Sequence, residues 1–483
     1  MRTMVPFPEK SSDSNTVLQS MEKVSQSDQE WKTGKMFGFV FNPGDEASKL
    51  LAEAYMDFAH LNRLNPTSFP SVRKFENEIV SMCANLLHGD ENVVGNVTSG
   101  GTESIIMTVL VAREMAKNKH KSGFKPEVVM PVTAHPAFLK ACHYLNITPR
   151  LIPVREDKRV DVNLFKEAIN KNTILLVCSA PCYPFGVVDP VVEIAPVAEK
   201  QKKLFHVDAC MGGFMLPFMK DLGYPVPPFD FGLPGVTSIS LDAHKYGYAM
   251  KGASIILYRN PELRMKQFYI YSDWPGGIFA STAMAGTRSG GSVAGAWALI
   301  NYLGKEGYHK IVKQVMDATN KIISAVRSIP GLEVISNPDM SLIAITSESH
   351  DIFTIADLMA EKGWHLDCQQ FPDSLHLTIS RGNAEVVDEF IRDLNSVMGQ
   401  KEKLEAESKS AKFTTRAARV ASKVLPGKTI GKLATMLSGK EKKSDGDHKP
   451  ARQAAFYGLT GSLKSRGKVT DAIAEMLDGM YRL

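Results

Sequence analysis

From about Asp45 to Arg327 the chain alternates short apolar runs, bounded by turn residues, with longer stretches whose apolar side chains recur every three or four positions. Glu127–Pro131, Thr148–Val154, Thr173–Ser179, Leu204–Asp208, Val236–Leu241 and Ala253–Tyr258 read as strands. Ala47–Leu61, Lys74–Leu87 and Thr102–Lys117 read as helices. Short apolar strands separated by helices predict a mostly parallel sheet covered on both faces, because a parallel neighbour is reached only through a long crossover. Ligands in such sheets sit beyond the carboxyl ends of the strands, so polar residues there are the first candidates for a site. A long helix from Ser292 to Arg327, stopped by Pro330-Gly331, closes this region. Strands at Leu332–Ile335, Ser341–Thr346 and Ser374–Ile379, with helices at Ile352–Lys362 and Ala384–Met398, predict a smaller α+β domain.

A chain of 483 residues that is 44% hydrophobic and 23% charged is not disordered, collagenous or of low complexity taken as a whole. The net charge of +5 is uneven: residues 401–452 hold 14 Lys and Arg against 6 Asp and Glu, so the rest is slightly acidic. A basic excess confined to one segment does not argue for nucleic acid as a partner. Six cysteines are too few to staple a chain this long, and most lie in apolar runs, as expected of buried thiols in a reducing compartment. Cys178 and Cys182 lack a second pair at ligand spacing, so no metal site is predicted. The polar N-terminus has no signal-peptide core and no stretch is long enough to span a bilayer, which predicts a soluble, cytoplasmic protein.

Three strand-end motifs carry chemistry. Thr98-Ser-Gly-Gly-Thr-Glu-Ser104 is a small-residue turn running into a helix, where free N–H groups of the first turn form either an ordinary capped start or a phosphate cradle. In His206-Val-Asp-Ala-Cys210, Asp208 ends an apolar strand and can cap the next helix or hold a cationic ring nitrogen. In Leu241-Asp-Ala-His-Lys245, followed by Tyr246-Gly-Tyr-Ala-Met-Lys251, Lys245 is either solvated or, packed among aromatic residues, a nucleophilic amine. Together they supply what pyridoxal 5′-phosphate requires: an anion cradle, a carboxylate for the pyridine nitrogen and an amine for the Schiff base. His135, in Val132-Thr-Ala-His-Pro136, offers a flat ring to stack on the pyridine.

The chain resembles fold-type I pyridoxal phosphate enzymes of the group II decarboxylase branch and, within it, the sphingosine-1-phosphate lyase family. The resemblance runs from about Trp31 to Ser396 and again over Phe456 to Tyr481. It is carried by Phe69-Pro-Ser-Val-Arg-Lys74, Thr98 to Ser104, Gly186-Val-Val-Asp-Pro190, His206 to Phe214, His244-Lys-Tyr-Gly247 and Asp273-Trp-Pro-Gly-Gly277. Lys251, six places after the Schiff-base lysine, points to lyases rather than decarboxylases, since a second cation suits a phosphate monoester. Without the resemblance it would read as an ordinary surface lysine.

The resemblance implies an aspartate aminotransferase-like fold and retro-aldol cleavage of a phosphorylated long-chain base to a long-chain aldehyde and phosphoethanolamine. It implies that Ser99, Gly100, Gly101, Thr102 and His244 hold the cofactor phosphate, with Gly290, Gly291 and Ser292 arriving from the second subunit of a homodimer. Lys251, Asn62 and Asn65 are the candidates for substrate phosphate, and Tyr183 and Tyr248 for hydroxyls near the reacting atoms. Phe37-Gly-Phe-Val-Phe41 has no hydroxyl where related chains often end in tyrosine, and Asn65 stands where they often have histidine. A group II amino-acid decarboxylase and a catalytically silent relative acting as a binding protein are the alternatives.

The expected organisation is an N-terminal segment packing on the dimer (1–60), a large cofactor-binding domain (61–310) and a small domain (311–400 with 453–483), interrupted by the basic insertion 401–452. The insertion is either a solvated segment or, with Phe413, Ala417, Val420, Ala421 and Val424 at helical spacing, an interfacial helix pair for peripheral contact with anionic membranes.

Overall fold

The computed structural model describes residues 4–117, 123–400, 402–406, 408 and 466–481. The insertion at 401–452 therefore lies almost wholly outside the described residues. The core is a seven-stranded sheet of β1 (Val94–Thr98), β2 (Glu127–Pro131), β3 (Thr148–Ile152), β4 (Thr173–Ser179), β5 (Leu204–Asp208), β6 (Ser238–Leu241) and β7 (Ser254–Tyr258). Its order is β1-β7-β6-β5-β4-β2-β3, and β7 alone runs antiparallel to its neighbours. β2 to β6 are joined through helices and stay parallel, as the alternating pattern requires. The link from β6 to β7 contains no helix, so the chain turns straight back and pairs antiparallel.

The expected strands are all present, and β2, β4 and β5 have the expected limits. β1 is an addition, because Gly95 and Asn96 interrupt its apolar pattern. That glycine is what lets β1 lie tight against β7: a Cβ on Gly95 would meet the Ile256 carbonyl oxygen at 2.2 Å. Apolar residues from the sheet and its covering helices, such as Val207, Leu241 and Ile255, are buried in one continuous core.

The long helix spans Gly291–Ser328 but breaks at Gly304, whose φ of 53° and ψ of −173° are not helical. Beyond it, Glu333–Val334, Leu342–Thr346, Ser374–Thr378 and Asp367–Gln369 form a four-stranded antiparallel sheet in that spatial order. The edge strand Asp367–Gln369 is an addition to the expected elements. Met36 bridges to His365, which draws the N-terminal segment over this edge. A hairpin of Tyr269–Trp274 and Gly277–Ser281 stands apart from both sheets. Among the described residues no helix is long and apolar enough to cross a membrane, and all six cysteines are buried and form no disulfide.

Candidate active site

The carboxyl ends of β4, β5 and β6 open into a cleft of about 290 Å³ lined by Ser179, Asp208, Cys210, His244, Lys245 and Lys251 from the large sheet. His135, Tyr183, Phe41, Asp367 and Thr378 complete its walls. Residues two apart on a strand share a face, so β5 presents His206 and Asp208 to the Ser238 and Ser240 positions of β6. Asp208 Oδ1 accepts from the Cys210 N–H at 3.1 Å and the Ser240 hydroxyl at 3.3 Å. His206 bridges Ser238 Oγ (3.0 Å) and Ser240 Oγ (3.1 Å), and burial pulls its pKa down to about 4, so it is a neutral brace behind Asp208.

Lys245 lies in the turn after β6, with Nζ 2.9 Å from Oδ2 of the buried Asp242. Burial alone would lower the lysine pKa, but the Asp242 carboxylate outweighs it and the ammonium is held above its ordinary range. Asp242 is held low by Lys245 and then His244, whose Nε2 is 3.7 Å away, against the desolvation that would raise it. Lys251 stands at the mouth of the cleft, donates to the His244 carbonyl at 3.2 Å and lies over the Phe41 ring. Desolvation and then the Lys245 charge lower its pKa.

The small-residue turn lies beside this pair. The Ser99 N–H and hydroxyl both donate to Glu103 Oε2, at 2.7 and 2.6 Å, and the other Glu103 oxygen accepts from the Met284 N–H at 2.7 Å. This ties the helix start in place and leaves the first-turn amides that follow without an intrahelical partner. A Cβ on Gly101 would come within 2.9 Å of Asp242 Oδ2 and 3.0 Å of Cys210 Sγ, and one on Gly100 within 3.7 Å of His244 Cε1. Gly101 can lie this close to Asp242 and Cys210 only because it lacks a side chain, whereas a Cβ on Gly100 would make ordinary contact.

His135 Nδ1 accepts from the Ala137 N–H at 3.2 Å, which fixes the ring and its tautomer; desolvation, more than the Lys245 charge, lowers its pKa. The Tyr183 hydroxyl donates to Asp367 Oδ2 at 3.0 Å. Tyr248 is buried away from the cleft, its hydroxyl accepting from the Arg381 N–H at 3.0 Å.

Asn62 and Asn65 line a different cavity of about 250 Å³. Their side-chain oxygens accept from the Leu64 and Thr67 N–H groups, both at 2.9 Å, as turn residues do. Gly290 and Gly291 press against Phe58 and Tyr55, and Ser292 lies beside Gly252. Within one chain these five residues do not line the cleft of Lys245. Asp242, Glu103 and Asp367 were not singled out in the sequence. Asp242 and Glu103 fall inside the two motifs themselves, but no local signal marks Asp367.

A ring-nitrogen carboxylate, a fixed flat histidine, a lysine amine and a glycine-lined helix start converge as pyridoxal 5′-phosphate requires, so the residues fit that group. Residues 2–347 match the family described as the pyridoxal-dependent decarboxylase conserved domain. The chain is 40% identical over 473 residues to the sphingosine-1-phosphate lyase of Arabidopsis thaliana, covering 96% of this chain and 79% of that protein. It is 42% identical over 388 residues to sphingosine-1-phosphate lyase 1 of Rattus norvegicus, covering 80% of this chain and 68% of the relative. The solved Burkholderia pseudomallei sphingosine-1-phosphate lyase superposes with a TM-score of 0.79 at 35% identity, over 85% of this chain and 96% of the other. Glutamate decarboxylase of Lactobacillus brevis, at 20% identity and a TM-score of 0.73 over 82% and 95%, shares the fold. The chain belongs to the sphingosine-1-phosphate lyase family of pyridoxal phosphate enzymes, within the pyridoxal-dependent decarboxylase group.

Proposed function

We propose that the protein cleaves the C2–C3 bond of phosphorylated long-chain bases, such as sphingosine 1-phosphate or dihydrosphingosine 1-phosphate, to a long-chain aldehyde and phosphoethanolamine. The observation that carries this reading is Lys251, a second cation in the cleft of Lys245. A phosphate monoester bound there gains a charge-assisted hydrogen bond, and its higher charge than a carboxylate's suits a cleft with a second cation beside Lys245. Pyridoxal 5′-phosphate, when bound, supplies the electron sink that makes the carbon–carbon bond labile. Gly100, Gly101, Thr102 and His244 would hold its phosphate, while Ser99, whose N–H and hydroxyl are both committed to Glu103, fixes the turn that presents them. Asp208 would keep its ring nitrogen protonated, His135 would cover the ring face and Lys245 would carry it. The hydrogen bonds from Cys210 and Ser240 hold the Asp208 carboxylate in position.

The working unit is a homodimer in this reading. Tyr269, Ile270, Trp274 and Ile278 of the hairpin are more than half exposed, which favours their burial against a second copy. A second copy would also give Asn62, Asn65 and Gly290–Ser292 a route to a cleft other than that of their own chain. The buried thiols, none in a disulfide, support work in a reducing compartment such as the cytoplasm. Product analysis tests the reaction. Aldehyde with phosphoethanolamine supports the lyase; carbon dioxide from amino acids, with the carbon skeleton retained, would replace it by a decarboxylase.

A further inference from the structure

Retro-aldol cleavage needs an acceptor for the proton of the substrate C3 hydroxyl, and Phe41, which lines the cleft, has no hydroxyl to offer. Tyr183 and Asp367 line the same cleft and are joined by the 3.0 Å hydrogen bond from the tyrosine hydroxyl to Asp367 Oδ2. They come from separate parts of the fold. Tyr183 lies in the loop after β4, whereas Asp367 begins the edge strand of the small sheet. The Tyr183 ring packs on the His376 ring with centroids 4.1 Å apart, which fixes where the hydroxyl points. Gly38, at φ +117°, carries the N-terminal segment so close over Asp367 that a Cβ would lie 3.6 Å from Oδ2.

Tyr183 is a poor base alone, because burial and then the Asp367 charge raise its phenol well above the ordinary value. Asp367 can take the role. Burial raises its carboxyl above the ordinary range, opposed by the Tyr183 hydrogen bond and the His365 charge, which improves it as an acceptor near neutral pH. The groups facing the pair are His365, 4.0 Å from Asp367 Oδ1; Cys368, next along the strand; and Lys245, Thr378 and His376 around Tyr183. Asp367 is itself 23% exposed at its side chain, so the carboxyl can exchange its proton with solvent.

We infer that Asp367 is the final acceptor of the C3 hydroxyl proton, received through the Tyr183 hydroxyl. The inference rests on the retro-aldol reading. In the step, the substrate O–H bond breaks and its proton bonds to the Tyr183 oxygen while Tyr183 passes its own proton to the Asp367 carboxylate. The tyrosine is neutral before and after. The C3 oxygen keeps its electrons and becomes the aldehyde carbonyl as the C2–C3 bond breaks; that bond's electron pair leaves toward the cofactor ring and is later returned to C2 with a proton. Tyr183 touches the substrate, and Asp367 is a positioning residue that acts through it.

The test uses the cofactor-loaded enzyme and dihydrosphingosine 1-phosphate. Asp367→Asn keeps the shape and the hydrogen bond but cannot accept the proton, so kcat should fall by about 10²- to 10⁴-fold with KM little changed. The acidic limb of the pH–rate profile should disappear with it, and Asp367→Glu should restore part of both. A 2-aminoalkyl phosphate lacking the C3 hydroxyl should perturb the visible spectrum of Asp367→Asn at the wild-type concentration, showing that the cleft is intact. Tyr183→Phe should cost as much as Asp367→Asn, and the double variant no more than either single one. An Asp367→Asn enzyme that keeps the acidic limb and a rate within threefold of wild type, or additive losses in the double variant, would overturn the inference. Absence of aldehyde from the wild-type enzyme would instead overturn the lyase reading beneath it.

Discussion

Asp242 Oδ2 lies 2.9 Å from Lys245 Nζ, and Gly101 leaves the same carboxylate without a Cβ against it. The amine that must attack the cofactor aldehyde is therefore stored as an ammonium ion, held charged by a buried partner.

That pairing sets the pH at which cofactor is captured. Only the neutral amine is nucleophilic, and Asp242 keeps that fraction small in the cofactor-free protein. In Asp242→Asn the desolvation of Lys245 is no longer opposed by this charge, so its pKa falls. The midpoint of a plot of colour development against pH, recorded after adding pyridoxal 5′-phosphate to stripped protein, should drop by about one unit or more. An unmoved midpoint would mean that Asp242 does not control the amine.

Lys251 should act on substrate rather than on cofactor. Losing a charge-assisted contact to phosphate costs about 1.5–3 kcal/mol, so Lys251→Ala should raise KM for a phosphorylated base by roughly 10- to 150-fold. The cofactor colour should persist. Steady-state kinetics with an unchanged KM would remove Lys251 from the phosphate subsite.

Gly101→Ala places a methyl group at 2.9 Å from Asp242 Oδ2 and 3.0 Å from Cys210 Sγ, so the turn that forms the cradle must shift. Affinity for pyridoxal 5′-phosphate, followed by absorbance titration, should weaken by about tenfold or more. Tight binding with the methyl in place would mean that the phosphate lies elsewhere.

The fold reads from the sequence wherever local pattern decides structure. β2, β4 and β5 are unbroken buried runs with turn residues at both ends, so their limits were visible. β1 was not, because Gly95 breaks the apolar pattern for the sake of close approach to Ile256. The break at Gly304 was hidden by helical periodicity that continues on both sides. In the cleft, Asp208 and Lys245 were legible as candidates from their places at and after buried strands, whereas Lys251 was legible only through the family resemblance. Asp367 enters through long-range packing of the small sheet on the N-terminal segment, a contact with no trace in the residues beside it. Tyr248 is one of two tyrosines in a single short motif, and only the fold separates it, bonded to Arg381, from the cleft.

His206 links the site to stability. Its folded pKa of about 4 lies below the usual 6.5, so the stability it contributes is complete above pH 6.5 and is lost as pH falls through 4. The shift corresponds to about 3 kcal/mol. Denaturant melts of cofactor-free wild type and His206→Asn, at pH 7 and pH 4, should show the wild type losing more stability on acidification by that order. Equal losses would show that His206 is not the titrating brace.

The lyase reaction is tested most directly by incubating the yellow, cofactor-loaded protein with dihydrosphingosine 1-phosphate and quantifying both products by mass spectrometry. Long-chain aldehyde and phosphoethanolamine in equal amounts, with neither formed by Lys245→Ala, is the expected result. A loaded protein that forms no aldehyde, or that instead releases carbon dioxide from amino acids, would contradict it.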